Sequence, residues 1–145
     1  MTVTFFGHKN TPESIKKDLQ FVIFDLIEQQ NASTFLVGNH GNFDSIVNHT
    51  LIELKNKYPH IKHYTILAYM PVENNANHCY ENTILPEDVA IAHPKFAISK
   101  RNDWMLKKSD AVICYISHSH GGASKYYEKA KRMGKVVINI SNNLI

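Results

Sequence analysis

SKRNDWMLKKSDAVICYISHSHGGASKYYEKAKRMGKVVINI, residues 99–140, places a helix, an apolar strand, a glycine turn, a second helix and a second strand in succession. The first of these strands, residues 111–116, shows no alternation of polar and apolar side chains. It is therefore predicted to be buried on both faces in the middle of a parallel sheet. Gly121 and Gly122 follow it and open a helix, where free backbone N–H groups favour an anion. The turn predicts a phosphate or nucleotide site, with a tight turn that holds no ligand as the alternative.

The alternation of strands and helices continues outside this stretch. The five predicted strands are residues 2–6, residues 34–37, a segment within 61–69, residues 111–116 and residues 136–140. They predict an α/β fold, a three-layer Rossmann-like sandwich with a mostly parallel five-stranded sheet in the order 3-2-1-4-5. Residues 70–94 lack a sustained period. We expect a long excursion there, with one helical turn near residues 87–91, that serves either as a functional lid or as a cover for the sheet edge.

Size and composition limit the classes of protein to which the chain can belong. The 145 residues predict one domain, residues 1–145, and 43% hydrophobic with 20% charged residues is typical of a globular protein. The net charge of +3 is modest and the basic residues are scattered, which argues against a nucleic-acid partner. Two cysteines without a Cys-x-x-Cys pair favour the cytoplasm, and no apolar run reaches the ~20 residues of a membrane span.

Three strand-to-helix loops are expected to meet at one edge of the sheet. They are Gly7-His8-Lys9, residues 38–44 and residues 117–122. Right-handed crossovers bring such loops to the carboxyl ends of parallel strands, and a crevice opens where the strand order reverses. In the second loop, Asp44 either caps the following helix or binds a ribose hydroxyl.

Four histidines lie in these loops: His8, His40, His118 and His120. Imidazoles are common zinc ligands, but these loops lack the spacing of a structural zinc site. We therefore predict no metal and no separate cofactor. We expect the imidazoles to hydrogen-bond to, or stack on, a phosphate or a base.

Two charged residues near the glycine turn are further candidates for the ligand site. Arg101 lies on the helix before the fourth strand, and Glu128 lies two turns into the final helix. Spacing alone favours a solvated surface charge for each of them.

Residues 99–140 resemble the SLOG superfamily, which includes the DNA-processing protein DprA and the Lonely Guy phosphoribohydrolases. Lonely Guy enzymes carry an Arg-Lys-x-x-Met segment, then a strand, then Pro-Gly-Gly-x-Gly-Thr-x-x-Glu. Arg101 and Met105 match the first segment in spacing. Gly121-Gly122 matches the diglycine, and Glu128 falls at the motif glutamate. The resemblance implies a Rossmann-like fold that binds nucleotides, with Arg101 and Glu128 as catalytic residues if the protein is an enzyme.

Three positions depart from the enzyme motif, at residues that help to hold the phosphate in the enzymes. His120 replaces the proline, Ser124 replaces a glycine, and Lys125 replaces the threonine. The segments Gly7-His8-Lys9, 80–84 and 121–123 are instead more similar to small uncharacterised SLOG proteins of Gram-positive bacteria and their phages.

The sequence therefore carries two functional hypotheses. The first is a module that binds a nucleotide or nucleotide-derived ligand at the carboxyl edge of the sheet, as a sensor or sequestering protein. The second is a Lonely Guy-like phosphoribohydrolase that cleaves the N-glycosidic bond of a nucleoside monophosphate. The predicted ligand-binding residues are Gly7, His8, Lys9, Gly38, Asn39, His40, Gly41, Asp44, Arg101, Asn102, Ser117, His118, His120, Gly121, Gly122, Ala123 and Ser124. We expect a homo-oligomer, because helical faces in this superfamily often form dimers, and no membrane partner.

Overall fold

The computed structural model describes residues 1–70 and 82–141. The strands are β1 (Thr2–Gly7), β2 (Thr34–Val37), β3 (Lys62–Ile66), β4 (Thr83–Ile84), β5 (Ala111–Tyr115) and β6 (Val136–Asn139). The helices are α1 (Lys16–Gln30), α2 (Gly41–Lys57), α3 (Glu87–Ala90), α4 (Ala97–Lys108) and α5 (Gly122–Arg132), with 3-10 turns at Glu13–Ile15 and Pro94–Phe96. The predicted helical turn near residues 87–91 is confirmed as α3. Within the described ranges, no helix is both long enough and apolar enough to cross a membrane.

The sheet has the strand order β4-β3-β2-β1-β5-β6, and every neighbouring pair is parallel. The α/β class, the parallel pairing and the 3-2-1-4-5 order of the five predicted strands are confirmed. The predicted number of strands is too low by one, because β4 adds a sixth strand at the edge. β4 has two residues, too few to show a period, and it lies in the irregular stretch 70–94.

The position of β5 explains why its sequence is apolar throughout. Ala111 and Ile113 pack in the core formed with residues of α1 and α2. Val112 and Cys114 pack in the core formed with residues of α4 and α5. Successive side chains of a strand point to opposite faces, so a central strand covered by helices on both sides is apolar at every position.

The topology opens a crevice at one edge of the sheet. β1 pairs with β2 on one side and with β5 on the other. From β1 the chain continues to α1 on one face, whereas from β5 it continues to α5 on the opposite face. The loops that follow β1 and β5 therefore start side by side and diverge, which leaves space between them.

Gly7, the last residue of β1, allows α2 to approach the sheet at this edge. A Cβ atom on Gly7 would lie closer than 3.0 Å to three ring atoms of Phe43, a buried residue in the first turn of α2. The ring is enclosed by the core that α1 and α2 share, so it has little room to move away. The absence of a side chain at Gly7 therefore sets the separation of β1 and α2.

Gly7→Ala is expected to destabilise the fold by about 1–3 kcal/mol, because the added methyl group overpacks the ring of Phe43. Gly122→Ala is the matched control, since a Cβ atom there meets nothing within 4 Å. Denaturant unfolding of both variants measures the difference. Equal stability of the two variants would contradict the close packing of Gly7 against Phe43.

Candidate functional site

A cavity of about 440 Å³ lies where the loops after β1, β2 and β5 meet α4. Eleven of the predicted ligand-binding residues line it: Gly7, His8 and Lys9 from β1 and its loop, His40 and Asp44 beside the start of α2, Arg101 and Asn102 from α4, and His118, Gly121, Gly122 and Ala123 beside the start of α5. The topology thus brings residues from all three loops to one space.

Six further predicted residues do not line the cavity: Gly38, Asn39, Gly41, Ser117, His120 and Ser124. Most of them adjoin residues that do. The N–H of Ser117 donates to Nε2 of His8 at 3.1 Å, and the ring of His120 stacks on the ring of His118. Ser124 is buried in the first turn of α5.

Glu128 is placed apart from this group. Its carboxylate forms an ion pair with Lys131 at 3.2 Å, and half of its side chain is exposed. It is not among the described residues that line the cavity. The structure therefore brings Arg101 into the cavity without bringing Glu128 beside it.

The cavity also has an apolar wall that sequence analysis did not assign to the site. Phe6 of β1 and Ile98 and Met105 of α4 form this wall, Phe5 borders the cavity from the other face of the sheet, and Asn10 extends the polar rim. Phe5 and Met105 are buried and carry the pattern of ordinary core residues. In the sequence, one feature indicates that Phe5 and Phe6 lie near the cavity: they directly precede the loop that begins at Gly7.

Arg101 is 2% exposed although its side chain is a cation. Its guanidinium donates to Oδ1 of Asn102 at 2.9 Å, to Oδ1 of Asn39 at 3.3 Å and to the carbonyl oxygen of Ile66 at 3.2 Å. Among the described residues, no carboxylate oxygen lies within 4.0 Å of a nitrogen of this guanidinium, which is the limit for an ion pair. Nη1 also contacts Nδ1 of His40 at 3.4 Å. The hydrogen-bond partners of this buried cation are therefore neutral groups, and the charge of Asp44 acts on it from beyond ion-pair distance.

Asp44 faces the same space from α2. Its Oδ2 accepts the backbone N–H of His40, the residue before the first turn of α2, at 3.0 Å, which resembles the return bond of a capping box. A Cβ atom on Gly38 would lie 2.7 Å from Oδ2 of Asp44 and 2.9 Å from Nη1 of Arg101. Only glycine leaves room at this position for both charged groups.

Burial raises the pKa of Asp44 to about 6, although the N–H of His40 and the charge of Arg101 oppose the shift. Desolvation disfavours the carboxylate more than these two neighbours stabilise it. Asp44 therefore holds the backbone at the start of α2 and also lines the cavity as a carboxyl group whose ionisation is costly.

The two histidines that face the cavity from the β1 and β2 loops favour the neutral form. Burial lowers the pKa of His40, and the charges of Arg101 and Lys9 lower it further. Burial also lowers the pKa of His8, with smaller contributions from His118 and His120. Because Nε2 of His8 accepts a hydrogen bond, its lone pair must be free of a proton.

The N-terminus of α5 meets the cavity without a side-chain cap. Gly121 has a φ of 97°, in the left-handed region that favours glycine. A Cβ atom on Gly121 or Gly122 would meet nothing within 4 Å, so this turn borders open space. The first N–H groups of a helix lack intrahelical acceptors, and here they are available to an anion.

No set of three His, Cys, Asp or Glu side chains within residues 1–70 and 82–141 is arranged to hold a metal ion. The chemistry that the arrangement supports is recognition of an anion by Arg101 and the α5 amides, next to an apolar wall.

Asp44→Asn is expected to raise the free energy of unfolding at pH 7.5 by up to about 3 kcal/mol, because ionisation of the buried carboxyl opposes folding there. Since the pKa of Asp44 in the folded protein is about 6, against 3.8 ordinarily, its bound proton favours folding at low pH. That contribution is lost as the pH rises through about 6. The difference in stability between the variant and the native protein should therefore be much smaller near pH 4, close to the ordinary pKa of 3.8.

Urea unfolding at pH 4 and pH 7.5 measures both values. Asp25→Asn, at an exposed position of α1, is the control for the loss of one charge. A loss of stability in Asp44→Asn at pH 7.5 would contradict the account of Asp44 as a destabilising group.

Comparison with known proteins agrees with this architecture. The structure is similar to the X-ray structure of DNA processing protein A (DprA) from Streptococcus pneumoniae, with a TM-score of 0.65 and 18% sequence identity. The match covers 94% of this chain and 48% of that chain, so the present chain spans about half of its length. At this identity the likeness concerns the fold alone.

A search of curated proteins found no match. The family model of YpsA, described as the YspA SLOG family, matches residues 2–138. This match covers nearly the whole chain and confirms the resemblance that residues 99–140 indicated. The chain belongs to the YpsA family of SLOG proteins.

Proposed function

We propose that the protein binds a nucleotide or nucleotide-derived ligand in the cavity, as a sensor or sequestering module. The anionic group of the ligand contacts Arg101 and the N–H groups at the start of α5. The observation that carries the proposal is the buried guanidinium of Arg101, which has neutral partners only. The cytoplasm, which the cysteine usage favours, is the compartment in which we place this activity.

The physical argument concerns the cost of a buried charge. Removing a cation from water is unfavourable, and hydrogen bonds to neutral oxygens offset only part of that cost. Asp44 offsets part of that cost from beyond ion-pair distance, and an incoming phosphate would add a direct negative partner for the guanidinium. Arg101 is therefore better explained by a ligand than by the stability of the unliganded fold.

The dimensions and lining of the cavity also support a small ligand. Its volume of about 440 Å³ lies in the range of small-molecule sites, about 300–1,000 Å³. Phe6 and Met105 provide an apolar wall, while Gly121 and Gly122 leave the start of α5 open. An apolar wall beside an anion site suits an organic phosphate better than a free inorganic ion.

Removal of either proposed phosphate contact should weaken nucleotide binding. Arg101→Ala is expected to lower the affinity for nucleoside monophosphates by about 10- to 100-fold, because charge-assisted hydrogen bonds are lost. Gly122→Val should have a comparable effect through steric bulk at the amides, and its side chain enters open space, so the fold should be retained. Isothermal titration calorimetry measures both affinities.

Ser119→Val is the matched control, since Ser119 is exposed in the same loop and does not line the cavity. Its affinity should equal that of the native protein. Native affinity in Gly122→Val would place the ligand elsewhere and would contradict the proposal.

The phosphoribohydrolase is the second candidate, because Arg101 lines the cavity as that activity requires. Its second residue, Glu128, would have to leave the ion pair with Lys131 to act on a bound ribose. We therefore favour binding without turnover.

Incubation with nucleoside monophosphates, followed by chromatography for free base, separates the two candidates. We expect no release of base from the native protein. Release that disappears in Glu128→Gln, while Glu87→Gln on α3 retains it, would replace the binding proposal with the enzyme.

A further inference from the structure

Three imidazole rings stack on one another beside the cavity. The rings of His8 and His118 have centroids 3.7 Å apart and planes inclined by 13°. The rings of His118 and His120 have centroids 3.8 Å apart and planes inclined by 23°. These three residues, the histidine column, connect the loop after β1 to the loop after β5.

The inner end of the histidine column is fixed by the fold. His8 is 8% exposed, and its Nε2 accepts the N–H of Ser117 at 3.1 Å. Its ring also meets the ring of Tyr115 edge-on, with centroids 6.4 Å apart. His8 is therefore a rigid base on which the two loop histidines are arranged.

The middle ring, that of His118, is stacked on both of its faces. Nδ1 of His118 is buried and has no hydrogen-bond partner among the described residues. An unpaired buried nitrogen is unfavourable, and a rotated ring could expose it to water. The ring lies nearly parallel to both of its neighbours, with interplanar angles of 13° and 23°.

The outer end of the histidine column is open to a ligand. His120 is exposed, and in the part of the chain that the structure describes no further ring stacks on its outer face. In the sequence, His120 lies between His118 and Gly121, which both line the cavity. The last ring of the column thus stands next to the amides at the start of α5.

We propose that the outer face of His120 stacks on the base of the bound nucleotide and extends the histidine column by a fourth ring. This inference rests on the proposed function, because the phosphate of the same ligand must occupy the amides at Gly121 and Gly122. His120 directly precedes Gly121 in the sequence, so the ribose is the part of the ligand that joins the phosphate at the amides to the base on the ring. The site selects compounds that carry an aromatic base and discriminates against sugar phosphates.

The proposal specifies a class of ligand and not one base. Stacking on an aromatic ring tolerates any base, since each presents a π-face. The spacing of the column, 3.7 Å and 3.8 Å between centroids, is that of rings in contact, which a planar base can continue. Purine and pyrimidine monophosphates are therefore both expected to bind, purines more tightly because of their larger surface.

Calorimetric affinities for adenosine monophosphate and for ribose 5-phosphate test the proposal, because the two ligands share the phosphate and the sugar. The native protein should bind the nucleotide at least about 10-fold more tightly. His120→Ala should remove that preference and leave the affinity for ribose 5-phosphate unchanged. His120→Phe should restore the preference, and His60→Ala, at an exposed histidine beside Tyr58, should leave both affinities unchanged.

A spectroscopic readout separates stacking from a purely structural role of His120. The fluorescence of 2-aminopurine riboside monophosphate should be quenched on binding to the native protein and to His120→Phe, and much less on binding to His120→Ala.

Equal loss of affinity for both ligands in His120→Ala would mean that the residue supports the phosphate loop, which would overturn the proposal. Equal native affinity for the two ligands would overturn it while leaving the anion site intact. If neither ligand binds, the proposed function itself fails.

Discussion

The burial of the Arg101 guanidinium is the constraint on which the candidate site depends. The side chain reaches from α4 across the ends of β2 and β3, where it meets Asn39 and the carbonyl of Ile66. These contacts hold the loop after β2 against α4 and define one wall of the cavity. They also set the electrostatics of the neighbouring groups, since the positive charge lowers the pKa of His40 and opposes the upward shift at Asp44.

Several features of the site lower the stability of the fold. Arg101 is a buried cation with neutral partners, and Asp44 is a buried acid whose pKa lies near 6. Nδ1 of His118 lacks a described partner. Domains are stable by only about 5–15 kcal/mol, so such features are costly, and they concentrate at functional sites. Their convergence on one cavity is a stronger argument for a ligand than any one of them.

The overall fold was predictable because it follows from local patterns. Apolar residues at every position of β5 required a central parallel strand, and the alternation of strands with helices then limited the topology. The edge strand β4 was not predictable, because two residues show no period. The convergence of the loops at Gly7, Asp44 and Gly121 followed from the topology.

The finer features of the site depended on tertiary geometry that no local pattern contains. Spacing favoured a surface charge at Arg101, and only the family resemblance indicated the cavity that the residue lines. The same resemblance indicated Glu128, which lies in an ion pair outside that cavity. The sequence pattern predicts that Phe6 and Met105 are core residues. That they also line the cavity depends on where α4 crosses the end of β1. The topology predicts that His8, His118 and His120 lie in converging loops, but the stacking of their rings on one another depends on tertiary geometry.

A crystal structure with a bound nucleoside monophosphate tests the central claim most directly. The account predicts phosphate oxygens within hydrogen-bond distance of the Arg101 guanidinium and of the backbone N–H groups at the start of α5. A phosphate bound outside the cavity, for example to surface lysines, would contradict the account, because Arg101 would then remain buried without a direct anionic partner in the liganded protein.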